Sequence, residues 1–247
     1  MSDDVIVPVP VYTKPSNMFL ASNNLLNITD KQLVVAYIGR AVDWKMFPLK
    51  KMVDDLTVLK KTARVIVYTN DASCFSDFIG STDAKIQLEF KEGYWGDKLA
   101  QDILCNKVNL GYAMGTAALD LANLGIPTIL ADFSTAEFPE NYTYRFLYQA
   151  SKGNLGINVC ENDHTDRRTL SDIVGDFNLR AESEKSYNYV SKNHDIDNIA
   201  KKIIIVSKNS NMDLGYLSKP GALIYFLLYL LKRVFRKDNK YFGWGIK

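Results

Sequence analysis

The feature that most constrains this chain is the regular alternation, between residues 32 and 131, of short apolar runs with stretches whose apolar residues recur at helical spacing. Residues 32–38 are an apolar run bounded by Gly39, and residues 47–59 then carry the helical pattern. Residues 63–68 are the next β-rich run, 85–90 alternate polar and apolar, 96–104 have helical spacing, and 108–112 read as a short strand. The Ala/Leu-rich stretch 115–124 closes at Gly125, a helix stop, before residues 126–131 give another buried strand, and 156–160 are a further strand candidate. Strand-helix alternation of this length needs crossover connections. It therefore predicts an α/β, Rossmann-like, mostly parallel sheet with helices on both faces. Ligands of such sheets sit beyond the carboxyl ends of the strands.

A chain of 247 residues with 47% hydrophobic residues can bury one large domain of this kind and still carry arms. Residues 1–30, rich in Pro, Ser and Asn, read as an arm or linker, 31–210 as the Rossmann-like domain, and 211–247 as a C-terminal helix and tail. Within the domain, 170–177 and 187–205 are patterned as two surface helices. Residues 221–231 are nearly all apolar and are followed by Lys232, Arg233, Arg236 and Lys237. That run is shorter than the roughly 20 residues a membrane span needs. Two readings stay open for residues 221–237: docking on an anionic membrane surface, or burial against another domain.

Charge narrows the ligands. Lys+Arg 30 against Asp+Glu 28 leaves a net charge of +2, so no global field draws the chain to nucleic acid, and any anion must be bound locally. Cys74, Cys105 and Cys160 are an odd set without CxxC spacing, which argues against a disulfide framework or a zinc site. With an N-terminus that lacks the basic start and apolar core of a signal peptide, this points to a reducing, cytoplasmic setting. The sequons at Asn27 and Asn141 then read as chance matches. His164 lies among Glu161, Asp163 and Asp166 in a polar loop whose acids point in too many directions for a closed site, so no metal is expected.

Two segments could carry chemistry. Gly39-Arg40-Ala41-Val42-Asp43-Trp44-Lys45 follows the first strand, and Arg40 offers a bidentate fork and Lys45 a point charge, a pair suited to a diphosphate. Gly111-Tyr112-Ala113-Met114-Gly115-Thr116-Ala117-Ala118-Leu119-Asp120 joins a strand to a helix through a small-residue turn that leaves N–H groups for an anion. Asp120, one turn beyond Thr116 on the same face, could accept from ribose hydroxyls. From spacing alone, solvated surface cations and a glycine kept for close packing explain the same residues.

Taken together, the two segments resemble the C-terminal, nucleotide-sugar-binding domain of GT-B glycosyltransferases, including those that make bacterial polysaccharides. The likeness rests on Gly39-Arg40 with Lys45, on Gly115-Thr116-Ala117-Ala118-Leu119-Asp120-Leu121-Ala122-Asn123-Leu124-Gly125-Ile126-Pro127-Thr128-Ile129, and on the helical tail 186–194. It implies a single GT-B half-domain that binds a nucleotide-diphosphate sugar for transfer to a saccharide or lipid-linked acceptor, through Arg40, Lys45, Gly115, Thr116 and Asp120, with no further cofactor. Asp120 stands where that family usually has Glu, and Tyr112 where many members have a sugar-contacting Glu, which makes Tyr112 a candidate sugar contact. The resemblance also implies an acceptor domain, either in a longer polypeptide or as a separate subunit, that would supply the catalytic base. Two alternatives remain at this stage: a sugar-nucleotide epimerase of the same architecture, and a non-catalytic domain that binds a protein partner.

Overall fold

A computed structural model describes residues 8–13, 32–150, 153–161, 166–175 and 179–209. The run Leu33–Ile38 forms strand β1, α1 follows as Asp43–Val58, and then β2 (Ala63–Thr69), α2 (Ala72–Ile79), β3 (Ile86–Glu92) and α3 (Gly96–Cys105). Next come β4 (Leu110–Ala113), α4 (Thr116–Asn123), β5 (Thr128–Leu130), β6 (Arg145–Phe146), α5 (Leu170–Gly175), α6 (Leu179–Asn193) and α7 (Ile196–Asn209). The strands make one sheet in the order β3-β2-β1-β4-β5-β6, parallel except for the antiparallel β5–β6 pair.

Residues alternate across the sheet, and each face has its own core. Val35, Tyr37, Val65, Val67 and Tyr112 pack on Met46, Leu49, Met52, Val53 and Leu56 of α1, on Phe75 of α2 and on Ile173 of α5. Ala36, Ile66, Tyr68 and Ala113 pack on Ile103 of α3, on Ala118, Leu119, Leu121 and Ala122 of α4 and on Val190 of α6. Strands buried on both faces must be apolar nearly throughout, which is why they read as continuous runs. The α/β fold with helices on both faces is as expected. Close packing also fixes particular residues: a Cβ at Gly111 would stand 2.9 Å from Leu121 Cδ1 and 3.1 Å from Thr128 Oγ1, so β4 and α4 can approach only because that position is glycine.

Several elements differ from the sequence reading. Helix α1 starts at Asp43 rather than near 47, because its first turn, Asp43-Trp44-Lys45, carries no apolar period although Asp43 suits the positive end of the helix dipole. Helix α2 was not expected; it is short, and it begins where Asp71 accepts from the Cys74 amide at 3.0 Å. Residues 156–160 are not a strand but make an isolated bridge, Phe133 to Asn158, and the short β6 takes the sheet edge instead. The stretch 187–205 is not one helix: α6 begins at Leu179 and ends before His194-Asp195, where α7 starts.

At the carboxyl end of β5 a fully buried carboxylate organises the chain's return. Asp132 accepts from Arg145 Nη2 at 3.2 Å, Arg167 Nη2 at 2.8 Å, the Tyr142 hydroxyl at 3.1 Å and the Ile157 amide at 3.2 Å. A buried charge is tolerated when its lone pairs are filled in this way. The chain divides into two compact units, Met1–Lys202 and Ile203–Lys247. Of the second, the described part is the end of α7, where Ile203, Ile204 and Ile205 are exposed. No helix among the described residues is long and apolar enough to cross a membrane, and residues 221–237 lie outside them.

Replacing Asp132 by Ala removes the carboxylate shared by the buried Arg145 and the partly buried Arg167, and should cost about 3–5 kcal/mol of unfolding free energy. Urea titration followed by circular dichroism checks this; a loss below about 1 kcal/mol would show that Asp132 is not the anchor.

Candidate functional site

The two segments singled out in the sequence are brought together by strand pairing. β1 and β4 are adjacent and parallel, with Ile38 opposite Ala113, so the turns that follow them, at Gly39-Arg40 and Met114-Gly115, leave the same edge of the sheet side by side. Neighbouring strands stand roughly 4.8 Å apart. From β1 the chain proceeds outward through β2 to β3, whereas β4 leads to β5 on the other side, so the crevice between the two turns is the topological switch point of the sheet.

The first turn is held by Tyr37. Its buried hydroxyl donates to the Lys45 carbonyl, and its ring lies so close to Gly39 that a Cβ there would stand 2.7 Å from Tyr37 Cε1. The Ala41 amide donates to Asn70 Oδ1 at 2.9 Å, which ties the turn to the end of β2. Arg40 is exposed, and Lys45 lies in the first turn of α1 with its ammonium 5.0 Å from the centre of the Trp44 ring. Partial burial lowers the Lys45 pKa, and the nearby positive charge of Arg40 lowers it further. The two cations are thus near enough to repel each other, an arrangement that an anion between them would relieve.

On the second turn Gly115 has φ 64°, a left-handed conformation for which glycine is suited. Its amide donates to the Leu155 carbonyl at 2.8 Å. The Gly115 N–H is thus taken up by the 153–157 segment, and the helix-terminal amides with no partner inside α4 are those of Thr116 and Ala117. Thr116 and Asp120 are both exposed on one face of α4, one turn apart, while Ala118, Leu119, Leu121 and Ala122 face the core.

Tyr112 is corrected. It is 0% exposed in the middle of β4, with its ring 5.6 Å from that of Tyr37 and 5.8 Å from that of Tyr144. Its hydroxyl has no hydrogen-bond partner among the described residues, and burial raises its pKa well above the usual phenol range. A side chain on the inner face of a strand packs under α1 rather than over the sheet edge, so it makes no sugar contact in this structure.

The sequence reading missed an aromatic group on the same edge. Between β3 and α3, Gly93-Tyr94-Trp95-Gly96 presents Trp95 70% exposed, next to Tyr94, whose ring has Lys98 Nζ 4.1 Å and Lys91 Nζ 5.6 Å from its centre. An aromatic pair between two glycines at the end of a strand was the available signal. Among the described residues no cluster of His, Cys, Asp and Glu is arranged to hold a metal; His164 and Asp163 lie outside them. A cleft of about 460 Å³ lined by Phe47, Asp54, Val58, Glu137 and Phe138 runs along α1 toward its C-terminal end, away from the switch point.

The fold is similar to that of several solved glycosyltransferase-like structures. HepE of Anabaena, in complex with UDP and glucose, matches at 13% identity and a TM-score of 0.44, over 81% of this chain and 54% of that one. Trehalose-6-phosphate synthase OtsA matches at 13% identity and 0.44, over 82% and 51%. The N-terminal domain of Candida albicans trehalose-6-phosphate phosphatase matches at 10% and 0.43, over 85% and 47%. The chain spans about half the length of these proteins. No family model and no curated protein matches it.

Removing the Tyr112 hydroxyl separates packing from recognition. Tyr112→Phe should raise stability by about 1 kcal/mol, since it deletes a buried oxygen without a partner, and should leave the affinity for any ligand of the β1–β4 edge unchanged. Thermal unfolding and calorimetric titration of the same variant test both halves, and a loss of binding would return Tyr112 to the site.

Proposed function

We propose that this chain is the donor-binding half of a glycosyltransferase, holding a nucleoside-diphosphate sugar across the β1–β4 switch point. The observation that supports the reading is the parallel pairing of β1 with β4, which brings the turn carrying Arg40 alongside the turn that opens α4. Guanidinium, ammonium and two helix-terminal amides form a cradle for a diphosphate, and Asp120 one turn further along α4 serves the ribose hydroxyls. Trp95 offers a face for the nucleobase. β3 stands two strands from β1, on the order of 10 Å, which is the reach of a nucleoside diphosphate laid along the edge.

In transfer, negative charge grows on the departing diphosphate, and the same cations and amides act most strongly then. The group that deprotonates the acceptor hydroxyl belongs to an acceptor-binding domain. Cytoplasmic location, and membrane docking through residues 221–237, are part of this proposal and rest on the sequence pattern.

Calorimetric titration with UDP, GDP and ADP tests the site. Arg40→Ala should weaken binding about 10- to 100-fold, the loss expected for a charge-assisted contact, and Arg40→Lys should recover only part of it. An Arg40→Ala variant that binds as the parent does would remove the diphosphate assignment.

The Lys45 pKa gives a second check with a fixed sign. In the free protein it is lowered, so part of the population loses its proton at alkaline pH; a bound diphosphate favours the ammonium and raises it. Binding should therefore take up protons at alkaline pH and weaken as pH rises. Titrations in buffers of different ionisation enthalpy measure the uptake, and Lys45→Met should abolish it.

A further inference from the structure

The short described piece of the N-terminal arm, residues 8–13, is fastened to the junction between α6 and α7. The Val11 amide donates to the His194 carbonyl at 2.7 Å, and the Ile196 amide donates to the Val11 carbonyl at 3.0 Å, so the arm lies beside the junction as a one-rung parallel bridge. Asn123 Nδ2, at the end of α4, donates to the Tyr12 carbonyl at 2.7 Å, and the Thr13 hydroxyl donates to Asp195.

The remaining fastening is His194. Its side chain is 1% exposed, and its Nδ1 lies 2.9 Å from the Val9 carbonyl oxygen. A carbonyl can only accept, so Nδ1 carries the hydrogen and Nε2 must be bare in the neutral ring. Nε2 is buried with no partner among the described residues. Protonation would put a hydrogen on Nε2 with nothing to receive it, in a place from which water is excluded.

The groups around the ring do not relieve that charge. From α6 comes the Tyr189 ring, 5.5 Å away between centroids, and from α7 comes Lys202, whose charge opposes a second cation. Asp195, the next residue, is taken up by the Thr13 hydroxyl and by the amides of Asp197 and Asn198 at 3.1 and 3.2 Å, where it caps α7. α4 contributes the neutral Asn123, and the arm residues 8–13 bring no charged side chain, Tyr12 being largely exposed.

We propose that His194 is a proton-sensitive latch: neutral, it holds the N-terminal arm against the α6–α7 junction; protonated, it lets the arm go. Burial lowers the pKa of the docked imidazole from 6.5, and Lys202 lowers it further. A depressed pKa means that docking is complete above the free value of 6.5 and is lost as pH falls below it. The segment released is the one that precedes β1, whose far end carries Arg40. The latch stands independently of the proposed donor site.

Hydrogen exchange on the full chain reads the latch directly. After correction for the intrinsic pH dependence of exchange, protection of the Val11 and Ile196 amides should fall by about tenfold per pH unit below 6.5, the slope of a one-proton linkage. The amides of β1 should keep theirs. Lys202→Met, which removes a charge that opposes the buried imidazolium, should move the midpoint of release to lower pH, and His194→Asn, whose Nδ2 takes the place of Nδ1 and does not titrate, should hold the arm at every pH. Protection at Val11 that is the same at pH 5 and pH 8 in the unmodified protein overturns the proposal, whether or not the variants fold. So does a midpoint that Lys202→Met leaves in place.

Discussion

The pairing of β1 with β4 is the interaction on which the rest of the molecule depends. Because β2 and β3 extend the sheet on one side of β1 and β4 and β5 on the other, the crossovers from β1 and β4 diverge, the topology at which ligands of such sheets bind. The register Ile38 to Ala113 then decides which residues border the switch point. A slip of one residue would send Tyr37 to the opposite face and detach the turn that carries Arg40. Tyr37 shows how tightly core and site are joined: one side chain fills the core beneath α1, pins the Lys45 carbonyl and leaves room beside it only for Gly39.

The sheet was legible in the sequence for a physical reason. Parallel strands covered on both faces must be apolar throughout, and helices laid on them must repeat at 3.6 residues, so β1, β2 and α1 each carry a long, unambiguous pattern. The pattern fails where burial does not set the residues. α2 is eight residues long with only Phe75 fully buried, and its definition comes from the Asp71 cap rather than from an apolar face. The first turn of α1 is invisible for the same reason, although it holds Lys45. β6 has two residues, and what fixes it is the Asp132 network, whose partners Arg145 and Arg167 are spread along the chain and become neighbours only after folding.

Site residues divide along a similar line. That Arg40, Lys45, Thr116 and Asp120 lie just past strand ends was legible because glycine turns and a helix start mark where a strand gives way to its crossover. Gly115 and Tyr112 could not be assigned in that way. The fate of the Gly115 amide depends on Leu155, some forty residues later, and whether Tyr112 faces the crevice or the core depends on strand parity, which the sequence does not settle when both faces are apolar. The resemblance to GT-B glycosyltransferases places a sugar contact at position 112, but this chain has there a large ring that fits between Tyr37 and Tyr144. The proposed donor site therefore assigns the sugar end to groups other than this side chain.

That assignment bears on what the domain can do alone. In the proposed donor site, Arg40, Lys45 and the α4 terminus are assigned to the diphosphate, the part of a donor that leaves, where they would fix the scissile bond and take up the charge that develops on one side of it. Attack on the other side needs an acceptor hydroxyl brought into line and relieved of its proton, a task the proposed reading does not assign to Asp120, one turn along α4. Its position behind Thr116 suits a ribose rather than a reacting carbon. On the proposed reading, such an edge accounts for holding a nucleotide, while transfer calls for a second surface that closes over it.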